Sequence, residues 1–148
     1  MKKQAILKSL LILLPVLAVG LATTADSVTV FDSATGTLAY FSYFDLLPYG
    51  ALQLITPLAA GLSILTGILA AVYLGKKSQK CLKGVMILSM AAAIVAVVPI
   101  LLPSDVKIVP NVGLPVFMLL EYAFAYYQYK QLHGEKPQER LDARRLNK

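Results

Sequence analysis

One ionisable side chain, Glu121, lies in the middle of a long apolar run, after Leu119 and Leu120 and before Tyr122. An ionisable group at the depth of a membrane segment is costly, so it is by default a candidate functional group. No lysine, arginine or histidine lies at a matching position in the other apolar runs, and desolvation without a cation favours the protonated acid. Glu121 is therefore a neutral acid hydrogen-bonded inside a helix bundle, a proton- or cation-binding group in a transport pathway, or a contact to a membrane partner.

Hydroxyl and amide side chains in the other apolar runs are the candidate hydrogen-bond partners of Glu121, because buried polar groups need partners. Ser63 and Thr66 lie in the second run, and Ser89 lies in the third. Gln53, near the outer end of the second run, is a weaker candidate of the same kind. Together with Glu121, these residues form the predicted intramembrane polar site.

The rest of the chain offers little chemistry, since it contains no glycine-rich phosphate loop, no Cys-x-x-Cys pair and no His-Glu-x-x-His motif. The only histidine, His133, lies in a polar tail, and a single histidine makes a poor metal site. The only cysteine, Cys81, has no partner for an intramolecular disulfide, and is either a free thiol or a site of reversible acylation. A serine nucleophile would need a base that the apolar runs do not provide. We therefore predict a protein that is not an enzyme, with no catalytic residue, metal or cofactor.

Basic residues are distributed asymmetrically along the 148-residue chain, which is 57% hydrophobic and carries a formal net charge of +6. Soluble domains are about 45–50% apolar, and the excess here lies in four long runs. Three lysines lie at the N-terminus, four lie between the second and third runs, and six basic residues follow the fourth. Lysine and arginine close to membrane segments stay on the cytoplasmic side. The pattern predicts a multi-pass protein of the cell membrane with both termini cytoplasmic.

The four apolar runs predict membrane spans over residues 4–22, 51–74, 84–102 and 114–129. The expected fold is that of an all-α membrane protein: residues 1–148 form an antiparallel four-helix transmembrane bundle with a small extracytoplasmic β-hairpin between helices 1 and 2. Residues 103–111 form a short external loop, and residues 131–148 form a polar cytoplasmic tail. The first run also resembles a signal peptide that is cleaved after Ala25, and this alternative stays open.

The second span carries small residues at every fourth position, which places them on one face of a helix. Such faces allow the close backbone contacts that hold membrane helices together. The face serves either as the internal packing surface of the bundle or as the seam of a homodimer. Its residues are Ala59, Ser63, Gly67, Ala71 and Gly75.

The first external segment, residues 27–44, predicts a β-hairpin, because two runs of strand-forming residues flank a turn that ends at Gly36. Alternation places Leu38 and Tyr40 on one face and Ala39 with Phe41 on the other, so both faces are apolar. Aromatic residues in this segment form either an interfacial belt or a partner-binding patch. The members of this candidate patch are Phe31, Tyr40, Phe41, Tyr43 and Phe44.

The layout of four spans with a β-prone first external segment resembles that of claudin-like tetraspan proteins. The segment contains neither a tryptophan nor a cysteine pair, and the motif of that family includes both. The resemblance therefore covers the layout alone, and no family membership or residue role is inferred from it.

These features predict a small, non-enzymatic membrane protein that acts as a membrane-complex subunit or scaffold, through helix packing and the external aromatic hairpin. The alternative is a small proton- or cation-coupled transporter or channel that uses Glu121. The expected partners are the lipid bilayer and another membrane protein or a second copy, with no nucleic acid. Anionic lipid head groups are expected at Lys76, Lys77, Lys80 and Lys83.

Overall fold

A computed structural model describes residues 2–24, 26–33, 35–47, 54–101 and 106–146. This part of the chain is mostly helical and contains one small sheet. The elements in chain order are α1 (Lys2–Ala22), β1 (Val28–Asp32), β2 (Thr37–Phe41), α2 (Ile55–Lys76), α3 (Gln79–Leu101), β3 (Val106–Pro110) and α4 (Gly113–Leu146).

The four helices form a closed ring in which each helix packs on two others: α1 on α2, α2 on α3, α3 on α4, and α4 on α1. A tight connection joins α2 to α3. Lys77 adopts the left-handed conformation, with φ of 49°, and its backbone N–H donates to the carbonyl of Tyr73 at 2.7 Å. This is the geometry that ends many helices. Because α3 begins at Gln79, Lys80 and Lys83 lie in its first turns, where the sequence predicted a loop.

Two of the described helices, Ile55–Lys76 and Gln79–Leu101, are long and apolar enough by length and composition to cross a membrane. A shorter apolar segment, Lys8–Ala22, makes up most of α1. The fourth helix runs beyond the predicted span and continues to Leu146. A helix therefore occupies most of the region 131–148, which the sequence indicated as a polar tail.

The inner face of α2 is mostly small or polar, whereas its outer face is apolar. On α2, Ala59, Ser63 and Thr66 are fully buried. Several large aliphatic side chains of the same helix point outward and are 39–56% exposed: Leu58, Ile64, Leu65, Ile68 and Val72. This distribution is the reverse of that in a water-soluble helix, whose large apolar side chains face the core.

The predicted hairpin between the first two helices is confirmed, since β1 and β2 pair antiparallel with Val30 opposite Ala39. The sheet has a third strand, β3, which pairs antiparallel with the other side of β1 and places Ile108 opposite Val30. The expectation of a plain loop over residues 103–111 was therefore wrong. A two-stranded hairpin is marginal on its own, and here β1 gains a neighbour on both edges.

A hydrogen-bond network, which we call the α1–sheet junction, joins the sheet to the bundle. The carbonyl of Ala22, at the end of α1, accepts from the Tyr43 backbone N–H at 3.1 Å and from the Ser27 hydroxyl at 3.3 Å. The Asn111 backbone N–H donates to the Ser27 carbonyl at 2.7 Å, and the Tyr43 hydroxyl donates to the Asn111 carbonyl at 3.1 Å. Burial raises the pKa of the Tyr43 phenol, so this hydroxyl remains a donor at physiological pH.

We expect Tyr43→Phe to lower the free energy of unfolding by about 1 kcal/mol, because it removes one buried hydrogen bond and leaves the Asn111 carbonyl without that donor. Tyr40→Phe is the matched control, since the Tyr40 side chain is 58% exposed. Thermal unfolding of both variants in detergent micelles measures the difference. Equal midpoints for the two variants would contradict a stabilising role for the junction.

Candidate functional site

Glu121 lies on the inner face of α4 and is fully buried. Neither carboxyl oxygen has a hydrogen-bond partner within the described part of the chain. A buried polar group without a partner is costly, and few such groups occur in folded proteins. Its position makes Glu121 the group in the bundle whose burial most needs a functional or structural explanation.

Two apolar clusters lie on either side of Glu121 along the bundle axis. The sheet-side cluster includes Ala18, Ala59, Ala92 and Met118 from the four helices, with Val30 and Tyr43 from the sheet segment. The loop-side cluster includes Leu11, Ala70, Val85 and Ala125.

The buried polar residues of three helices lie between these two clusters. On α2, Ser63 and Thr66 separate Ala59 from Ala70, and on α3 Ser89 separates Ala92 from Val85. On α4, Glu121 separates Met118 from Ala125. Each helix runs from one cluster to the other, so these four residues share one level of the bundle. We call Ser63, Thr66, Ser89 and Glu121 the polar layer.

The three hydroxyls of the polar layer donate to backbone carbonyls of their own helices. Ser63 donates to Ala59 at 3.0 Å, Thr66 donates to Leu62 at 2.7 Å, and Ser89 donates to Met86 at 3.1 Å. The sequence predicted these hydroxyls as hydrogen-bond partners of Glu121, but none of them donates its hydrogen bond to Glu121. Their oxygens keep acceptor capacity. These hydroxyl oxygens can thus accept a hydrogen bond from a protonated acid or coordinate a cation.

The structure adds two buried polar residues that the sequence analysis missed. Thr56 Oγ1 and Gln128 Nε2 are buried and have no hydrogen-bond partner among the described residues. Thr56 precedes Ser63 by seven residues and Gln128 follows Glu121 by seven, so each pair lies on one face of its helix. This spacing was visible in the sequence. Gln53, the remaining candidate, lies outside the described residues.

The described residues contain no group of three or more histidine, cysteine, aspartate or glutamate side chains that could hold a metal ion. Cys81 is a half-buried free thiol. A single carboxyl at the same level of the bundle as three hydroxyls suits proton exchange or a weakly held monovalent cation better than a divalent ion, which takes several carboxylate ligands.

The small-residue face of α2 divides into a buried half and an exposed half. Ala59 and Ser63 are fully buried, and a Cβ atom at Gly67 would lie 3.4 Å from Cβ of Pro15 on α1. Ala71 and Gly75 are exposed, and Gly75 has open space around it. The first three positions therefore contribute to internal packing, and the last two lie on the surface.

The predicted aromatic patch also divides. Phe31, Tyr40 and Phe44 are 37–58% exposed, whereas Phe41 is half-buried and packs against the core. Tyr43 is fully buried at the α1–sheet junction, so it does not belong to the exposed patch.

The exposed part of the patch continues across the sheet. Paired residues of neighbouring strands point to the same side, and two rows of three residues face away from the bundle. Leu38, Tyr40 and Val109 in these rows are each more than half exposed. We call this surface the outer face, and its residues are Thr29, Phe31, Leu38, Tyr40, Lys107 and Val109.

The lysines at the junction of α2 and α3 lie at the opposite end of the bundle from the sheet. Lys76, Lys77, Lys80 and Lys83 are all exposed. The ammonium nitrogen of Lys83 lies 5.4 Å from the centre of the Tyr129 ring, within the range of a cation–π contact.

We expect Gly67→Leu to destabilise the protein by about 1–3 kcal/mol, because the added side chain must displace Pro15 at the contact between α1 and α2. Gly67→Ala should be tolerated, since 3.4 Å is an ordinary contact distance. Gly75→Leu, on the exposed half of the same face, is the matched control. Unfolding in detergent measures all three variants; an unaffected Gly67→Leu protein would show that this contact does not hold the bundle.

Comparison of the chain with protein-family models, with curated proteins and with solved structures gives no match.

Proposed function

We propose that this chain is a small, non-enzymatic membrane protein that crosses the bilayer four times and acts as a subunit or scaffold of a membrane complex. The proposal places both termini and the α2–α3 connection on the cytoplasmic side, and the sheet on the opposite side. Its partner is another membrane protein or a second copy of this chain. The outer face of the sheet is the surface that carries the contact.

The membrane placement is supported by the chemistry of the helix surfaces. The helices α1 and α4 complete the ring with α2 and α3, the two helices that are long and apolar enough to cross a membrane. The outward side chains of α1 and α4 are apolar as well. Ile12, Leu13 and Val16 on α1 are 37–59% exposed, and Leu119 and Leu120 on α4 are 44–47% exposed. Soluble monomeric proteins rarely expose so many large apolar side chains, and the small or polar residues on the inner face of α2 fit helix packing in lipid.

The orientation is supported by the separation of charge between the two ends of the bundle. Lys76, Lys77, Lys80 and Lys83 lie at the α2–α3 end, whereas Asp26, Asp32 and Asp45 lie in the segment that contains the sheet. Lysines near membrane segments stay on the cytoplasmic side.

The first helix contributes to the core, and this favours its retention over removal as a signal peptide. Leu11, Ala18 and Ala22 are fully buried, and the Ala22 carbonyl accepts two bonds from the sheet segment. Cleavage after Ala25 would remove these side chains and expose the partners that they cover.

The single observation that carries the scaffold proposal is the apolar outer face. Leu38, Tyr40 and Val109 are 54–58% exposed on a small sheet whose other face is already buried against the bundle. Interface centres are enriched in aromatic and apolar side chains that a partner desolvates. Because this face lies outside the ring of helices, it can be covered without disturbing the bundle.

We expect Leu38→Ser combined with Tyr40→Ser to weaken the complex by at least tenfold, because truncation of central apolar contacts typically costs 1–2 kcal/mol or more. Leu46→Ser is the matched control, since Leu46 is 57% exposed and lies outside the sheet, while Leu38 is 58% exposed. Native mass spectrometry after gentle extraction from membranes measures the fraction of chain bound in a stoichiometric complex. The same bound fraction in both variants, or a wild-type monomer, would contradict the role of the outer face.

A second candidate function, proton- or cation-coupled transport, is favoured by one specific observation. Glu121 is fully buried within the polar layer, and its carboxyl oxygens have no partner in the described part of the chain. A carboxyl held in this way can exchange a proton or a monovalent cation with a pathway that opens when the helices move.

Under the transport alternative, Glu121→Gln should abolish flux in proteoliposomes, because the amide has nearly the same shape but cannot release a proton. Glu121→Asp should keep part of the flux, since it retains the carboxyl. Flux is measured with a pH-sensitive dye inside the vesicles while an imposed potential drives protons or potassium. No flux through the wild-type protein, or full flux through Glu121→Gln, would rule out this function.

A further inference from the structure

A groove lies on the outer surface of the bundle, between α3 and α4. Its volume is about 550 Å³, and its walls are almost entirely apolar. Met86, Met90 and Ile94 line it from α3, and Tyr122 and Tyr129 line it from α4. No function assigned above uses this groove.

Lys83 is the one charged residue among those described that line the groove. Its side chain is exposed, and its ammonium group lies 5.4 Å from the centre of the Tyr129 ring. This contact holds the positive charge at the mouth of the groove. The neighbouring lysines add further positive charge, and the sequence has no acidic residue between Asp45 and Asp105. One end of this apolar groove is therefore positively charged and can bind an anion.

The length of the groove matches one leaflet of a bilayer. The helix rises about 1.5 Å per residue, so the eleven-residue step from Lys83 to Ile94 covers about 16 Å. The hydrocarbon core of a bilayer is roughly 30 Å thick, and half of it is about 15 Å. In the proposed membrane placement, Lys83 lies at the level of the cytoplasmic head groups and Ile94 lies near the bilayer centre.

We infer that the groove between α3 and α4 binds one anionic phospholipid of the cytoplasmic leaflet. Its phosphate contacts the ammonium group of Lys83, and one acyl chain lies along Met86, Met90 and Ile94. Methionine side chains adapt their shape to a flexible ligand, whereas the contacts between membrane helices favour small residues. The inference rests on the proposed membrane placement and is independent of the outer face of the sheet.

The absence of tryptophan from the chain provides a direct test. Ile87→Trp places an indole at the rim of the groove, because Ile87 lines the groove and is 69% exposed. Ile68→Trp places an indole on α2 at a matched depth, because Ile68 lies eight residues before Lys76 at the end of α2, as Ile87 lies eight residues after Gln79 at the start of α3, and Ile68 is 56% exposed. Both proteins are reconstituted in phosphatidylcholine vesicles that contain a small fraction of brominated phosphatidylglycerol or brominated phosphatidylcholine.

At an equal bromolipid fraction, phosphatidylglycerol should quench the groove indole more strongly than phosphatidylcholine does, and the two lipids should quench the Ile68→Trp indole equally. Adding Lys83→Gln should reduce the preference at the groove by about fivefold, the effect expected for one lysine at a membrane surface. Lys83→Arg should keep the preference, since it keeps the charge. Lys76→Gln should also keep it, because Lys76 does not line the groove.

Equal quenching of the groove indole by both lipids would overturn the anionic-lipid site. Quenching at Ile68→Trp without quenching at Ile87→Trp would also overturn it, because a protein would then cover the groove. Absence of quenching at both positions would instead contradict the proposed membrane placement, so the two failures can be distinguished.

Discussion

Close contact between α2 and its neighbours, which the mostly small side chains on the inner face of α2 allow, is the constraint on which the rest of the structure depends. In the proposed membrane placement, lipid surrounds the outward faces of the bundle, so hydrophobic burial alone would not hold the helices together. Packing must come from backbones that approach closely, as α2 does against Pro15 of α1 at Gly67. The same small residues leave room for the hydroxyls of Ser63 and Ser89, and hence for a polar layer in the interior.

The sheet and the bundle stabilise each other through a few contacts at one end. Val28 and Val30 of the central strand are fully buried against helix residues, and Ala22 at the end of α1 accepts hydrogen bonds from the segments that flank the hairpin. Because one face of the sheet is used in this way, its other face stays exposed. The outer face is thus a consequence of how the sheet is attached, and it presents Leu38 and Tyr40 on a rigid support.

Patterns in the sequence predicted the elements whose signals are local. Alternation around Gly36 indicated the hairpin, and the apolar run around Glu121 indicated a buried carboxyl. Elements that depend on distant partners gave no such pattern. The segment Val106–Pro110 ends in a proline and was expected to be a loop, but it forms a strand by pairing with β1. Alternation separated Phe41 from Tyr40, but it did not show which of the two faces turns toward the core, because both faces are apolar. Burial of Thr56 and Gln128 could have been inferred from their seven-residue spacing to Ser63 and Glu121.

The position of β1 between β2 and β3 has a consequence for the order of events during synthesis. Its first partner follows it immediately, but Ile108 of β3 reaches Val30 only after both α2 and α3 have been made and have folded back on each other. Until then, β1 keeps an open edge on the side where β3 will pair. The sheet is therefore complete only when the middle of the chain is in place, and a chain arrested before β3 lacks the complete outer face.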